Sequence, residues 1–224
     1  MEEARRLRHA IRREFHLFTL LSGSRPGALQ RAKVEHFSFA RRVLHIPRPK
    51  GGAKRAFDIP LSRDMIRCLV RAMRASRMLH PEQAETWIFA ADSVEGHLVE
   101  QKEPRSRLSK WGNDLRQSYR TLGQAAGISD VDMHLLMNHS LPGVNAGYIT
   151  RDKLLSDHLR SAQQKLSDHI IAAGATAPRD GSAWPRLASR RIGDEAFDPT
   201  PPDPRLGVPL GPRKRNAAEA RKAA

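Results

Sequence analysis

The chain has 224 residues, enough for one large domain or for one domain with a tail. Lysine and arginine number 39 against 24 aspartates and glutamates, and the net charge of +15 favours a polyanionic partner, most often nucleic acid, over a merely basic surface. Cys68 is the single cysteine, which excludes an intrachain disulfide and a cysteine-rich zinc site. The sequence has neither a run of about 18 apolar residues nor a signal-peptide core. We therefore expect a cytoplasmic protein without a membrane span.

The first predicted element is a helix over residues 3–22. Apolar residues recur at three- and four-residue steps from Leu7 to Leu21, and arginines occupy the opposite face. Two glycines and a proline within residues 22–27 then predict a tight turn. A short helix is expected to follow over residues 28–33.

Three short strand-like runs come next, at residues 34–39, 42–46 and 57–61. The segment 47–54 between the last two contains two prolines and two glycines, which favours a hairpin loop. We therefore expect one small antiparallel sheet in an otherwise helical domain.

Ser62 is a predicted N-cap for a helix that runs to Leu79. Cys68 lies inside this helix, and we interpret it as a packing residue rather than a redox residue. A short buried segment is expected at residues 87–89, followed by a polar loop over residues 93–108.

The remaining helices are predicted from their periodicity and their end signals. A helix over residues 112–126 stops at Gly127, and Ser129 caps a short helix after it. A longer helix is predicted over residues 144–173. Eight of the 15 prolines lie beyond Gly174, so we assign residues 1–174 to the domain and 175–224 to a disordered, proline-rich basic tail.

Six polar residues, each beside a break in the pattern, are the candidate site residues. The sequence contains no glycine-rich phosphate loop, no zinc-protease helix motif and no nucleophile elbow. The candidates lie instead in dispersed segments, and they are Arg25, Lys50, Asn113, Arg116, His139 and Tyr148.

In these segments the chain resembles the tyrosine recombinases, or phage-integrase family. The matching segments, in the family's order, are LLSGSRPGALQRAKVEHF, PRPKGGAKRAFDIPLS, NDLRQSYRTLGQAAGIS and LLMNHSLPGVNAGYIT. The spacings of 23 residues from Arg116 to His139 and nine from His139 to Tyr148 are usual for the family. The resemblance covers residues 1–172 and implies the family's mainly α-helical catalytic-domain fold with its small sheet.

The resemblance implies site-specific breakage and rejoining of double-stranded DNA through a 3′-phosphotyrosyl intermediate. Arg25 and Arg116 would clamp the phosphate, because a planar guanidinium donates two hydrogen bonds and stays charged. Tyr148 would attack the phosphorus and Lys50 would protonate the leaving 5′-oxygen. His139 would bond the phosphate or assist proton transfer. No metal or other cofactor is implied.

Two of these roles have rivals in the sequence. Lys54 competes with Lys50 for the role of general acid, and we favour Lys50. Tyr119 competes with Tyr148 for the role of nucleophile, but Tyr119 falls on the apolar face of its helix.

The chain departs from the family at two points. Asn113 stands where the family usually has histidine, and an amide cannot accept a proton from Tyr148, so His139 or a water would have to act as the base. The family also places a helical core-binding domain before the catalytic domain, whereas only 24 residues precede Arg25. We therefore expect a truncated integrase or a remnant.

Family members act as tetramers on two duplexes and exchange C-terminal segments, for which the helix ending near Ala173 is the candidate. The alternative function is a catalytically weak DNA-binding remnant. A third possibility is an unrelated basic helical scaffold for RNA or proteins, in which the candidate residues would not converge.

Overall fold

The computed structural model describes residues 1–141 and 154–175, which lie within a compact unit of Met1–Pro178. As the sequence predicts, this part of the chain is mainly helical with a three-stranded antiparallel sheet. Its helices are α1 (Glu2–Arg5), α2 (Ala10–Ser22), α3 (Pro26–Gln30), α4 (Arg63–Leu79), α5 (Pro81–Ala84), α6 (Asn113–Ala125), α7 (Asp130–Leu136) and α8 (His158–Ala175). Its strands are β1 (Phe37–Ser38), β2 (Val43–Ile46) and β3 (Phe57–Pro60), in the order β1-β2-β3.

The prediction of a single helix over residues 3–22 is wrong, because the helical backbone is interrupted between α1 and α2. His9 adopts an extended conformation and its side chain accepts a hydrogen bond from the backbone nitrogen of Arg12, which caps α2. The buried side chain of Leu7 lies in the break, so the apolar spacing continues through it although the helical backbone does not.

The core lies between α2, α4 and α6. The ring of Phe89 meets Phe15 edge to face with centroids 5.2 Å apart. As predicted, α4 begins after Ser62, whose hydroxyl accepts a hydrogen bond from the backbone nitrogen of Met65. Cys68 is buried in this helix, which agrees with a packing role, and burial raises the pKa of its thiol.

The sheet is shorter than the sequence suggests. Residues Val34–His36 form a 3₁₀ turn, so only the end of the predicted strand over 34–39 becomes β1. Strands β2 and β3 pair with Leu44 opposite Ile59, and residues 47–56 connect them as a hairpin loop. This loop leaves one end of the sheet, while the β1–β2 turn and the start of α4 lie at the other end.

The predicted end of α6 and the predicted start of α7 are confirmed. Gly127 has a positive φ of 66° beyond the end of α6, and Ser129 accepts a hydrogen bond from the backbone nitrogen of Asp132 at the start of α7. Of the predicted helix over residues 144–173, residues 144–153 lie outside the described part of the chain. Within the described part a turn at residues 156–157 precedes α8.

Helix α8 packs on α6 and α7 of its own chain and buries Leu159 and Leu166. The helix predicted for exchange between copies is therefore an integral part of this core. The predicted tail, residues 175–224, lies outside the described residues apart from Ala175. Among the helices of residues 1–141 and 154–175, none is long and apolar enough to cross a membrane.

Candidate active site

Five of the six candidate residues lie in the described part of the chain, and the structure places them in separate segments that end at one side of the domain. Tyr148 lies outside the described residues. Arg25 is the N-cap of α3, and Lys50 lies in the β2–β3 loop. Asn113 is the first residue of α6, Arg116 lies in its first turn, and His139 lies in the segment after α7.

These residues line two adjoining clefts. The first, here the Arg116 cleft, has a volume of about 430 Å³ and is lined by Arg25, Lys50, Arg116 and His139 among others. The second, here the Asn113 cleft, has a volume of about 460 Å³ and is lined by Arg25, Lys50 and Asn113 among others. Because Arg25 and Lys50 line both, the five candidates lie around two neighbouring clefts on the same part of the surface.

Among the described residues, the linings of the two clefts contain no carboxylate. They contain six cationic side chains, which are Arg25, Arg31, Arg48, Lys50, Arg55 and Arg116. Cations concentrated in a concave surface with low-dielectric walls attract polyanions strongly. Three of these cations, Arg31, Arg48 and Arg55, are not among the site residues that the sequence predicts. For the last two, the run of basic residues along the predicted hairpin loop was an available signal.

Arg116 is the buried member of the group, with only 8% of its surface exposed. Its guanidinium donates hydrogen bonds to the backbone carbonyl of Gly23, to that of Met137 at 3.1 Å, and to Nε2 of His139. Burial, and to a smaller extent the nearby charge of Arg25, lower the pKa of Arg116 to about 10. Arg116 therefore remains cationic at neutral pH, and no carboxylate among the described lining residues neutralises it.

Gly23 fits its position for two separate reasons. It ends α2 in the left-handed region, with φ of 58°, and its N–H donates to the carbonyl of Thr19. A β-carbon at this position would lie inside the van der Waals radius of the Tyr119 ring. This close approach of backbone and ring brings the Gly23 carbonyl to the guanidinium of Arg116.

The tautomer of His139 follows from its bond to Arg116. Arginine has donors only, so Nε2 of His139 accepts and the ring proton is on Nδ1. Desolvation and the positive charge of Arg116 lower the pKa of His139 to about 4. The imidazole is therefore neutral at pH 7 and offers one N–H, at Nδ1, to a ligand.

The hairpin loop that carries Lys50 is attached to the segment that carries His139. The amide of Asn138 donates to the carbonyl of Arg55, and the guanidinium of Arg55 donates to the hydroxyl of Ser140, each at 3.3 Å. Within the described residues, Lys50 lines both clefts and Lys54 lines neither, which favours Lys50 over its rival.

Tyr119 is fully buried, and its hydroxyl donates to Oε1 of Gln163 at 2.8 Å. Burial also raises the pKa of this phenol. A phenol that is sealed from solvent and already bonded inside the core cannot reach a phosphodiester. The chain has two tyrosines, so any tyrosine nucleophile of this chain must be Tyr148.

Asn113 is exposed at the start of α6, on the side of the Asn113 cleft. Two other residues that line this cleft have a buried polar atom without a partner among the described residues, Oε1 of Gln101 and Nε1 of Trp111. These atoms and the Asn113 amide provide neutral hydrogen-bonding groups beside the cations.

In comparisons with known proteins, no family model matches this chain and no curated protein matches it.

Proposed function

We propose that this protein binds double-stranded DNA and breaks and rejoins its strands through a phosphotyrosyl intermediate, as its resemblance to the tyrosine recombinases implies. One observation supports the proposal above all. Residues 25, 50, 116 and 139 are widely separated in the sequence, yet Arg25, Lys50, Arg116 and His139 line one cleft. Among the described residues, that cleft has no carboxylate to repel a phosphate.

Arg25 and Arg116 suit the two nonbridging oxygens of one phosphodiester. The two positive charges repel each other, and this repulsion contributes to the lowered pKa of Arg116. A phosphate between them would relieve this repulsion and would gain charge-assisted hydrogen bonds. Because carbonyls and His139 already fix Arg116, the clamp would be ordered before DNA binds.

In the proposed reaction, the hydroxyl oxygen of Tyr148 attacks the phosphorus and forms a P–O bond, while the bond from phosphorus to the 5′-oxygen breaks. Lys50 transfers a proton to that oxygen, which leaves as a hydroxyl. The proton of Tyr148 passes to water, because the Asn113 amide is not a base and Nε2 of His139 is occupied by Arg116. The reverse reaction, with a 5′-hydroxyl as the nucleophile, rejoins the strands.

The same observation favours a second candidate function, which is DNA binding with little cleavage. Neither Asn113 nor His139 has a free basic atom in this arrangement, and a phenol of pKa about 10 reacts slowly at neutral pH without a base. The two functions share the phosphate clamp and differ only in the covalent step.

The deciding experiment measures covalent attachment to a pool of nicked duplexes of randomised sequence, from which the cleaved fragment escapes. We expect the chain to form a denaturation-resistant adduct that Tyr148→Phe abolishes without loss of DNA affinity. Tyr119→Phe is the matched control: it removes a hydroxyl of the same kind from the core and should leave the adduct in place. An adduct that persists in Tyr148→Phe would refute the assignment of the nucleophile.

Asn113→His distinguishes the two candidate functions. If cleavage is limited by the missing base, this substitution should increase the rate of adduct formation while binding stays unchanged. Salt-dependent DNA binding without an adduct from any variant would establish the second function. DNA binding that is indifferent to salt would contradict both, because each phosphate contact should contribute about −0.9 to the log–log slope.

A further inference from the structure

A second group of arginines meets outside the two clefts. It consists of Arg42, in the β1–β2 turn, Arg63, the first residue of α4, and Arg160, in the first turn of α8. We call these three side chains the arginine triad. None of the three forms an ion pair with a carboxylate of the described residues.

Hydrogen bonds to the backbone bring the three elements together. The guanidinium of Arg160 donates to the carbonyl of Arg41 at 3.1 Å, next to Arg42. The guanidinium of Arg42 donates to the carbonyl of Leu61 at 3.2 Å, two residues before Arg63. The backbone nitrogen of Arg63 in turn donates to Gln164, one helical turn after Arg160. The three segments therefore lie side by side, and the charges of Arg160 and Arg63 both act on the guanidinium of Arg42.

Two donors of the triad are buried without an acceptor. Nε of Arg42 and Nε of Arg160 both lack a hydrogen-bond partner among the described residues. A buried donor of a charged group without an acceptor is destabilising, and such groups in native structures usually have a water or an ion as partner. Desolvation, followed by the charges of Arg160 and Arg63, lowers the pKa of Arg42, which agrees with a crowded cationic group.

The backbone of Arg42 is strained. Arg42 has a φ of 54°, in the left-handed region that residues with a β-carbon rarely adopt. The side chain of this residue reaches the Leu61 carbonyl, just before the start of α4. The strained backbone, the unpaired donors and the like charges all occur at the same place, and a bound anion would compensate for each of the last two.

The triad is separate from the clefts. Arg42 precedes β2 and Leu61 follows β3, whereas the loop with Lys50 connects the other ends of these strands. Strand β2 has four residues, which span about 13 Å. The triad and the clefts therefore lie at opposite ends of the sheet, and they cannot hold the same phosphate.

We propose that the arginine triad is a binding site for a tetrahedral phosphate-class oxyanion, distinct from the candidate active site. Three guanidinium groups offer the planar, charged donors that phosphate oxygens accept best. The anion could be a backbone phosphate of nucleic acid or a free phosphate, since both present the same oxygens. The proposal does not rest on the proposed function, because it requires neither cleavage nor the clefts.

The test is a titration of the full chain with inorganic phosphate, observed at the arginine Nε–H signals in ¹⁵N NMR spectra. The signals of Arg42 and Arg160 are assigned from their absence in Arg42→Gln and Arg160→Gln. We expect both signals to shift together with one saturable affinity. Potassium chloride of equal ionic strength should leave them in place. If neither signal moves, or if chloride produces the same shift, the proposal is wrong.

Arg63→Gln keeps both reporter signals and removes the third cation. We expect it to weaken phosphate binding at least about tenfold, the lower value for one charge-assisted contact. Arg74→Gln, an exposed arginine further along α4, removes the same charge and should change the affinity less than twofold. Equal weakening by both variants would show general screening rather than a site, and would overturn the proposal.

A parallel titration with a short duplex identifies the source of the phosphate. If it is nucleic acid, the two signals shift with duplex, and Arg63→Gln makes the salt slope of binding shallower by about 0.9 relative to Arg74→Gln. If only inorganic phosphate shifts them, the site takes a free anion. Loss of DNA cleavage or of binding in the clefts would leave these readouts unaffected, so failure of the proposed function is separable from failure here.

Discussion

The two basic regions at the ends of the sheet hold their arginines in different ways. In the Arg116 cleft, the buried guanidinium donates to two carbonyls and to an imidazole, all of them neutral. In the arginine triad, buried Nε donors of Arg42 and Arg160 have no described acceptor. The first arrangement fixes a cation without neutralising it, while the second leaves a desolvation cost that a ligand would remove. The two groups of arginines carry similar charge but should therefore have opposite effects on the free energy of unfolding.

The largest effect should follow from filling the space at Gly23, which supports the cleft. Gly23→Ala places a β-carbon at positive φ and against the ring of Tyr119. The two penalties together should lower the free energy of unfolding by about 3 kcal/mol, measured by urea denaturation. Gly27→Ala is the control, because its β-carbon would be 3.8 Å from the nearest atom. Equal stability of the two variants would contradict this account of Gly23.

Arg116→Ala should come next. It leaves the carbonyls of Gly23 and Met137 buried without their donor, so we expect a loss of about 2 kcal/mol in the free energy of unfolding. Arg25→Ala removes the same charge from an exposed position and should cost less than about 0.5 kcal/mol. Both variants should lose DNA affinity. If Arg116→Ala unfolds at the same urea concentration as Arg25→Ala, the buried guanidinium has no structural role.

A smaller effect of opposite sign is expected in the triad. Arg63 is a cation at the first residue of α4, where the helix dipole disfavours positive charge, and it also repels Arg42. Without phosphate, Arg63→Gln should stabilise the protein by about 0.5 kcal/mol at low ionic strength, and the gain should fade in high salt. Arg74→Gln, away from both features, should change the stability less. A loss of stability in Arg63→Gln would remove the contrast between the two regions.

The last expected effect concerns the titration of His139. With a pKa lowered from 6.5 to about 4, the folded protein binds fewer protons than the unfolded chain between these values, so acidification through this window favours unfolding. An NMR titration of the imidazole should give a midpoint well below 6. Arg116→Ala should raise this midpoint more than Arg25→Ala does, since Arg116 is the larger charge effect. A midpoint near 6.5 in the unchanged protein would contradict the neutral imidazole.

The sequence predicted those parts of the fold that depend on neighbours in the chain. Ser62 and Ser129 cap their helices and Gly127 follows the end of α6, because capping is a local interaction between a side chain and the next turn. The sequence does not reveal the break between α1 and α2, because histidine is a weak signal for an N-cap and the buried Leu7 continues the helical spacing across the break.

For the site, five of the six residues that the resemblance singles out line the two clefts, but the resemblance does not show how they are held. The contacts of Arg116 with Gly23 and Met137 connect segments far apart in the chain, and no local pattern reveals them. The same is true of the triad, since Arg42 and Arg160 are brought together by tertiary packing. Composition indicated an anionic partner, and only the fold shows where the cations converge.

The buried Gln163 has a consequence for the order in which the protein can mature. Its amide donates to the carbonyl of Leu21, at the end of α2, across 142 residues, and it also accepts from Tyr119. At a synthesis rate of about 5–20 residues per second, roughly 7–28 s separate the emergence of these two partners. During that interval the helix leading to Arg25 has no Gln163 to bond its last turn. A nascent chain therefore cannot complete the base of the candidate active site until α8 has been synthesised.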